Sequence, residues 1–129
     1  MKMLVDAPVY AAIPAADLDR AKRFYRDTLG LAASVEDEGG VRFDSGGTHF
    51  FVYPSAESAG RAAHTLESWI VDDLDAEMKE LRARGIAFEE YDLPGIKTVD
   101  GVAEMGDVRG AWFKDSEGNI LGVTEMRAQ

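Results

Sequence analysis

Few side chains in this sequence can move a proton or hold a ligand near neutral pH. There are two histidines, His49 and His64, and no cysteine. The missing thiols exclude a cysteine nucleophile, a Cys-type zinc site and a disulfide framework. Neither histidine belongs to a His-x-x-x-His or His-Glu pair, so no helix-borne zinc motif is present. His49 shares strand parity with Phe51 and Tyr53, so the three side chains leave one face together. There it could contact a ligand or act as a general base, or serve as a hydrogen-bonded strand-end residue. His64 falls where a polar stretch meets a strand. The aromatic residues Tyr10, Phe51, Tyr53 and Trp112 suit a stacking wall with hydroxyl handles, and equally suit core filling. Trp69 has the opposite parity to Leu66 and Ser68, which predicts core packing under a helix. Arg109 and Lys114 could meet an anionic ligand or form surface ion pairs. No Gly-x-Gly-x-x-Gly, P-loop or Gly-x-Ser-x-Gly pattern occurs.

These residues need elements to position them. Residues 8–15 read as a strand that Pro14 restricts to an edge or an end. Asp17 is a helix cap, followed by Leu18, Ala21, Tyr25 and Thr28 or Leu29 at helical spacing, and Gly30 is the stop. Strand-like runs at 31–36, 40–44 and 48–54 are divided by Gly39-Gly40 and Asp44-Ser45-Gly46-Gly47. A small, polar stretch at 55–63 separates this set from a second one. The second has a strand at 64–72, a helix opened by Asp73 and ended by Gly85, and strands at 86–91, 102–106, 109–114 and 119–125. The spacing predicts helical pairs Asp75–Lys79 and Glu80–Arg84. Asp17-Leu18-Asp19 returns as Asp73-Leu74-Asp75, and Asp44-Ser45-Gly46-Gly47 as Asp115-Ser116-Glu117-Gly118. Short motifs returning in the same order among matching elements indicate an internal repeat. The second copy carries roughly 16 extra residues within 90–107, read either as a lid or as a longer hairpin.

Composition limits the partners. The chain has 129 residues, 46% of them hydrophobic, with 24 acidic against 14 basic side chains and a net charge of −10. One globular domain is expected at this length. Such a charge repels nucleic-acid backbones and anionic membrane surfaces. No window approaches the ~18 apolar residues of a membrane span, and residues 3–16, interrupted by Asp6, do not read as a leader. A cytoplasmic protein is the expectation. Residues 1–60 carry a net charge of −3 and residues 61–129 a net charge of −7. Glu89-Glu90-Tyr91-Asp92, Asp100, Glu104 and Asp107 gather in or beside the long insertion, as a solvated edge or as a rim attracting cations.

The chain resembles the vicinal oxygen chelate superfamily of glyoxalases, bleomycin-resistance proteins and extradiol dioxygenases. The resemblance rests on Ile13-Pro14-Ala15-Ala16-Asp17-Leu18-Asp19-Arg20-Ala21, Phe24-Tyr25 and Leu29-Gly30-Leu31 in the first half. In the second half it rests on Trp69 to Asp75 and Phe113 to Leu121. It implies an α+β fold of two βαβββ modules whose mixed sheet curls into a cup with helices outside. Module one is 8–54, the linker 55–63 and module two 64–125. It also implies a ligand inside the cup and pairing of chains into a homodimer. In metal-using members each module gives two ligands, and those positions correspond here to Tyr10, Phe51, Leu66 and Gly122. Only Tyr10 among them has a side-chain oxygen or nitrogen, so no metal and no cofactor are expected. The implied ligand-binding set is Tyr10, His49, Phe51, Tyr53, Leu66, Ser68, Trp112 and Gly122. Two functions follow from the resemblance. One is a metal-free module sequestering a planar or cationic small molecule. The other is a lyase or isomerase acting on a small metabolite.

Overall fold

Two aspartates open the two helices. The Asp17 carboxylate accepts the Arg20 N–H at 3.1 Å, and the Asp73 carboxylate accepts the Ala76 N–H at 3.0 Å. Each satisfies a donor that the first helical turn leaves without a partner. In the computed structural model, which describes residues 3–127, the first cap starts α1 (Leu18–Arg23) and the second starts α2 (Leu74–Ala83). The first helix was expected to run on regularly to Leu29. Instead it widens into one π turn, Phe24–Thr28, closed by the Leu29 N–H on the Phe24 carbonyl at 3.0 Å. The wider turn accompanies a fully buried Tyr25.

The first sheet contains β1 (Ala12–Ala15), β2 (Ala32–Asp37), β3 (Gly40–Ser45) and β4 (Thr48–Pro54), in the order β1-β4-β3-β2. β1 lies parallel to β4 at the sheet edge, where Pro14 costs no ladder bond. The strand read at 8–15 is shorter than expected, because regular pairing begins only at Ala12.

The second sheet repeats this order and extends it. It contains β5 (Thr65–Ile70), β6 (Asp92–Leu93), β7 (Ile96–Val99), β8 (Val102–Met105), β9 (Val108–Lys114) and β10 (Ile120–Met126), ordered β5-β10-β9-β8-β7-β6. The insertion at 90–107 thus forms additional antiparallel strands at the far edge, the hairpin alternative. The strand expected at 86–91 is absent. Phe88 makes only a single bridge to Phe113, and the Glu89 N–H donates to the Trp112 carbonyl. The two mixed sheets are curled and open, an α+β arrangement with a helix against each.

One apolar cluster joins the halves. Ile13, Val41, Phe43, Phe50 and Val52 come from the first sheet, Ala111, Phe113, Leu121 and Val123 from the second, and Leu74, Met78 and Leu81 from α2. Trp69 does not simply pack beneath α2. Its ring lies 6.0 Å from Phe50 and 6.4 Å from Phe113, spanning the two sheets.

The second turn motif, Asp115 to Gly118, is a buried hub rather than a surface turn. Asp115 accepts the Tyr25 hydroxyl at 2.5 Å, the Asn119 amide at 2.9 Å and two backbone N–H groups. Asn119 donates to the Pro14 carbonyl at 2.8 Å and accepts the Gly60 N–H at 3.0 Å. Glu117 takes Arg20 in a two-point pair at 2.8 and 3.0 Å and also the Asp17 N–H at 2.8 Å. Buried carboxylates need such partners. Burial alone would push Glu117 up, but Arg20, the Asp17 N–H and the Ser116 hydroxyl outweigh it and hold the carboxyl at about 2.

Candidate functional site

The non-core face of the first sheet carries the rings expected there. Alternation puts Phe50 and Val52 into the core and leaves His49, Phe51 and Tyr53 on the other side. Tyr10 comes from the segment before β1 and lies across this face. Its ring is stacked 6.0 Å from His49 and edge-on 6.4 Å from Phe51, with 57% of Tyr10 exposed. The Phe51 ring rests on Gly40. A Cβ at that position would collide with the Val52 carbonyl oxygen and stand 2.9 Å from two ring carbons, and Gly40 has a φ of 143°. The glycine therefore sets how flat Phe51 lies. Tyr53 is opposite Pro14 of β1.

The second sheet has a matching row. Gly122 of β10 pairs with Trp112 of β9 on one side and Ser68 of β5 on the other. Trp112 is met edge-on by Tyr91 at 5.6 Å. A Cβ on Gly122 would lie 2.9 Å from the Ser68 Oγ, so Ser68 fills that space. Leu66 sits at an irregularity where Ile120 faces Thr65 but Leu121 faces Glu67, and it packs against the buried cluster.

The edges of the two sheets face each other across a cleft. The Trp69 indole N–H donates to the Ser45 Oγ at 2.9 Å, tying the β3–β4 turn to β5. Beside this tie lies a cavity of about 400 Å³ lined by Val9, Tyr10, Ala11, Ser45, Thr48, His49, Phe50, Glu67, Ser68 and Trp69. A neighbouring cavity of about 530 Å³ shares Ser45, Thr48, Ser68 and Trp69 and continues over Leu29, Leu31, Leu81 and Phe113. Of the residues expected in the site, Tyr10, His49 and Ser68 meet at the smaller cavity. Phe51 joins them through its contact with Tyr10. Tyr53, Leu66, Trp112 and Gly122 do not line either cavity.

The residue that the sequence reading passed over is Glu67. It lies on β5 with the parity of Trp69, a carboxylate on a core-facing strand position, which was the available signal. Its Oε2 is buried and has no hydrogen-bond partner among the described residues. Burial, and then the Asp115 charge, push its carboxyl up to about 8. Glu67 is thus mostly protonated at neutral pH, at the wall of a cavity that also holds His49. Tyr25, on the far side of Asp115, is held well above its ordinary value by burial and by that same charge.

The cations are engaged elsewhere. Arg109 meets Asp75 at 3.1 Å, Glu104 at 2.9 Å and Glu125 at 3.7 Å. This corrects the expected Asp75–Lys79 pair: Asp75 turns to β9 because the guanidinium offers two donors. The Glu80–Arg84 pair forms at 3.1 Å. Lys114 meets Glu89 at 3.6 Å.

A metal finds few donors here. Phe51, Leu66 and Gly122 carry no N or O side-chain atom, and Ser68 occupies the space a side chain at position 122 would need. Among the described residues no group of three His, Asp or Glu side chains converges. The four positions that the resemblance marks as ligands do not fit a divalent cation.

A sequence model of the Glyoxalase/Bleomycin resistance protein/Dioxygenase superfamily matches residues 7–123. The chain belongs to this superfamily. Solved structures of the superfamily share its fold. A glyoxalase family protein from Bacillus anthracis is 19% identical over 98% of this chain and 99% of its own, with a TM-score of 0.73. An antibiotic binding protein from Streptomyces sp. CB03234 is 20% identical over 97% and 99%, with a TM-score of 0.69. A lactoylglutathione lyase from Agrobacterium tumefaciens is 24% identical over 92% of each chain, with a TM-score of 0.64. No curated protein matches the sequence. No helix among the described residues is long and apolar enough to cross a membrane.

Proposed function

We propose that this superfamily member is a metal-free binding module that sequesters a planar, cationic small molecule. The observation carrying this reading is the ring group Tyr10, His49 and Phe51 on one sheet face, open beside a 400 Å³ cavity. A flat ligand laid on these rings gains apolar burial and ring contact, and a tyrosine hydroxyl and a serine supply polar handles. The net charge of −10 draws cations toward the protein. The unsuited donor set at Tyr10, Phe51, Leu66 and Gly122 supports binding without a metal. The solved antibiotic binding protein with the same fold is consistent with such a role. A melting-temperature screen of planar cations, run after chelation, tests the reading. Stabilisation with the ligand recovered unchanged supports it, and stabilisation only after adding a divalent metal refutes it.

A second reading, a lyase or isomerase working by acid–base catalysis, is favoured by His49 and the protonated Glu67 lining one cavity. It requires a product that fails to appear in both His49→Gln and Glu67→Gln.

We also propose a homodimer. Val9 is 93% exposed beside the edge strand β1, and Ile70 is 69% exposed at the end of the edge strand β5. Apolar groups at open sheet edges favour pairing with a second copy.

A further inference from the structure

We propose that Glu67 is the charge-selecting group of the cleft, gripping an amidinium or guanidinium on a flat aromatic ligand and giving up its proton as that cation enters. This rests on the binding function proposed above and adds the ligand class and the residue that recognises it.

Three observations converge on Glu67. It lines the cavity together with Tyr10, His49 and Ser68. Its Oε2 is buried without a partner, although buried carboxyl oxygens are ordinarily hydrogen-bonded. Among the described residues no lysine or arginine lines this cavity, whereas the buried Glu117 has Arg20 at 2.8 Å. The empty acceptor therefore lacks the positive donor that its counterpart possesses.

The chemistry of the missing donor follows. An amidinium offers two parallel N–H groups and a delocalised charge, the geometry a carboxylate accepts best. The rings of Tyr10 and His49 beside it suit the aromatic body of the same ligand. The groups facing Glu67 explain why it waits in the neutral form. Burial of Glu67, and then the charge of Asp115 in the turn between β9 and β10, hold the carboxyl at about 8. Tyr25, bonded to Asp115, stays protonated. His49 is the remaining titratable group on the cavity wall besides Tyr10. A cation placed against Glu67 reverses this balance, because an opposite charge at contact favours the ionised carboxylate. The proton leaves to solvent, and a carboxylate–amidinium pair remains in the cleft. A neutral or anionic ligand of the same shape gains nothing from Glu67, and the anion is repelled by Asp115.

The test uses three flat probes of one shape: 2-naphthamidinium, 2-naphthamide and 2-naphthoate. Binding is measured by titration calorimetry at pH 5.5, 6.5 and 7.5 in buffers of different ionisation enthalpy. The amidinium should bind best. Its Kd should fall by up to tenfold per pH unit over this range, with close to one proton released per ligand. In Glu67→Gln both the proton release and the pH dependence should disappear, and affinity at pH 7.5 should drop at least tenfold. Glu67→Gln removes a buried ionisable group, so it should remain folded, and its melting temperature is recorded beside each titration. Glu67→Asp should restore part of the pH dependence. Tight amidinium binding with no proton release, or with unchanged affinity in Glu67→Gln, overturns the role of Glu67 and leaves the binding function standing. Equal binding of amide and amidinium does the same. Failure of all three probes overturns both.

Discussion

Replacing Glu67 by glutamine should change how stability depends on pH, without any ligand. The folded protein holds this carboxyl at about 8, against 4.5 for the free group. Between those values the folded chain keeps a proton that the unfolded chain has lost. The stability associated with the protonated carboxyl is therefore complete below about pH 4.5. It declines as pH rises and is gone once pH passes about 8. The slope is about 1.4 kcal/mol per pH unit for one proton. Water entering the adjoining cavity would soften it, so a total of ~2–4 kcal/mol across the window is reasonable. Glutamine has the same shape and no titration. Urea unfolding of both proteins at pH 5, 6, 7 and 8 gives the difference directly. Glu67→Gln should gain on the native protein by about 1 kcal/mol per unit as pH rises. Two curves that stay parallel from pH 5 to 8 would refute a buried, protonated Glu67.

Four further outcomes are expected. Arg20→Ala removes the guanidinium that helps hold Glu117 at about 2, so the carboxyl should titrate higher; stability present above 4.5 and lost on acidification should be lost at a higher pH, read by acid unfolding. Gly40→Ala should cost ~1–3 kcal/mol and push Phe51 off its seat, checked by denaturation and by the Phe51 ring signals. Tyr10→Ala and Phe51→Ala should weaken planar-ligand binding by ~1–3 kcal/mol per ring, more than Lys114→Ala or Arg109→Ala, with melting temperature measured to separate binding from folding. Sedimentation at micromolar protein should give twice the 14.1 kDa chain mass, and a monomer mass would contradict the homodimer.

Elements whose signals are local were legible in the sequence. Asp17 and Asp73 cap helices because each side chain needs only an N–H three residues away. The Phe50/Phe51 alternation gives the two faces of β4 by itself. What depended on distant partners was hidden. Asp115 to Asn119 looks like a plain turn, yet its side chains reach Tyr25, Pro14 and Gly60 from the other half of the chain. Asp75 was expected to follow helical spacing and instead found Arg109, 34 positions away. In the candidate site, the shared parity of His49 and Phe51 on β4 was readable, while Tyr10, marked by the resemblance, precedes β1 and meets both rings. Glu67 was passed over because its parity with Trp69 marks a core-facing position without saying what surrounds the carboxyl there. Only the packed chain reveals the buried oxygen and the Asp115 charge beside it.

Metal-free binding in the cleft is tested most directly by mapping a planar cation onto the protein. Uniformly 15N-labelled protein, treated with a chelator, is titrated with 2-naphthamidinium while its amide resonances are followed. Saturable shifts should centre on Tyr10, His49, Phe51, Glu67 and Ser68, and adding magnesium or zinc should leave the affinity unchanged. Shifts confined to another surface, or binding that appears only once a divalent metal is supplied, would contradict it.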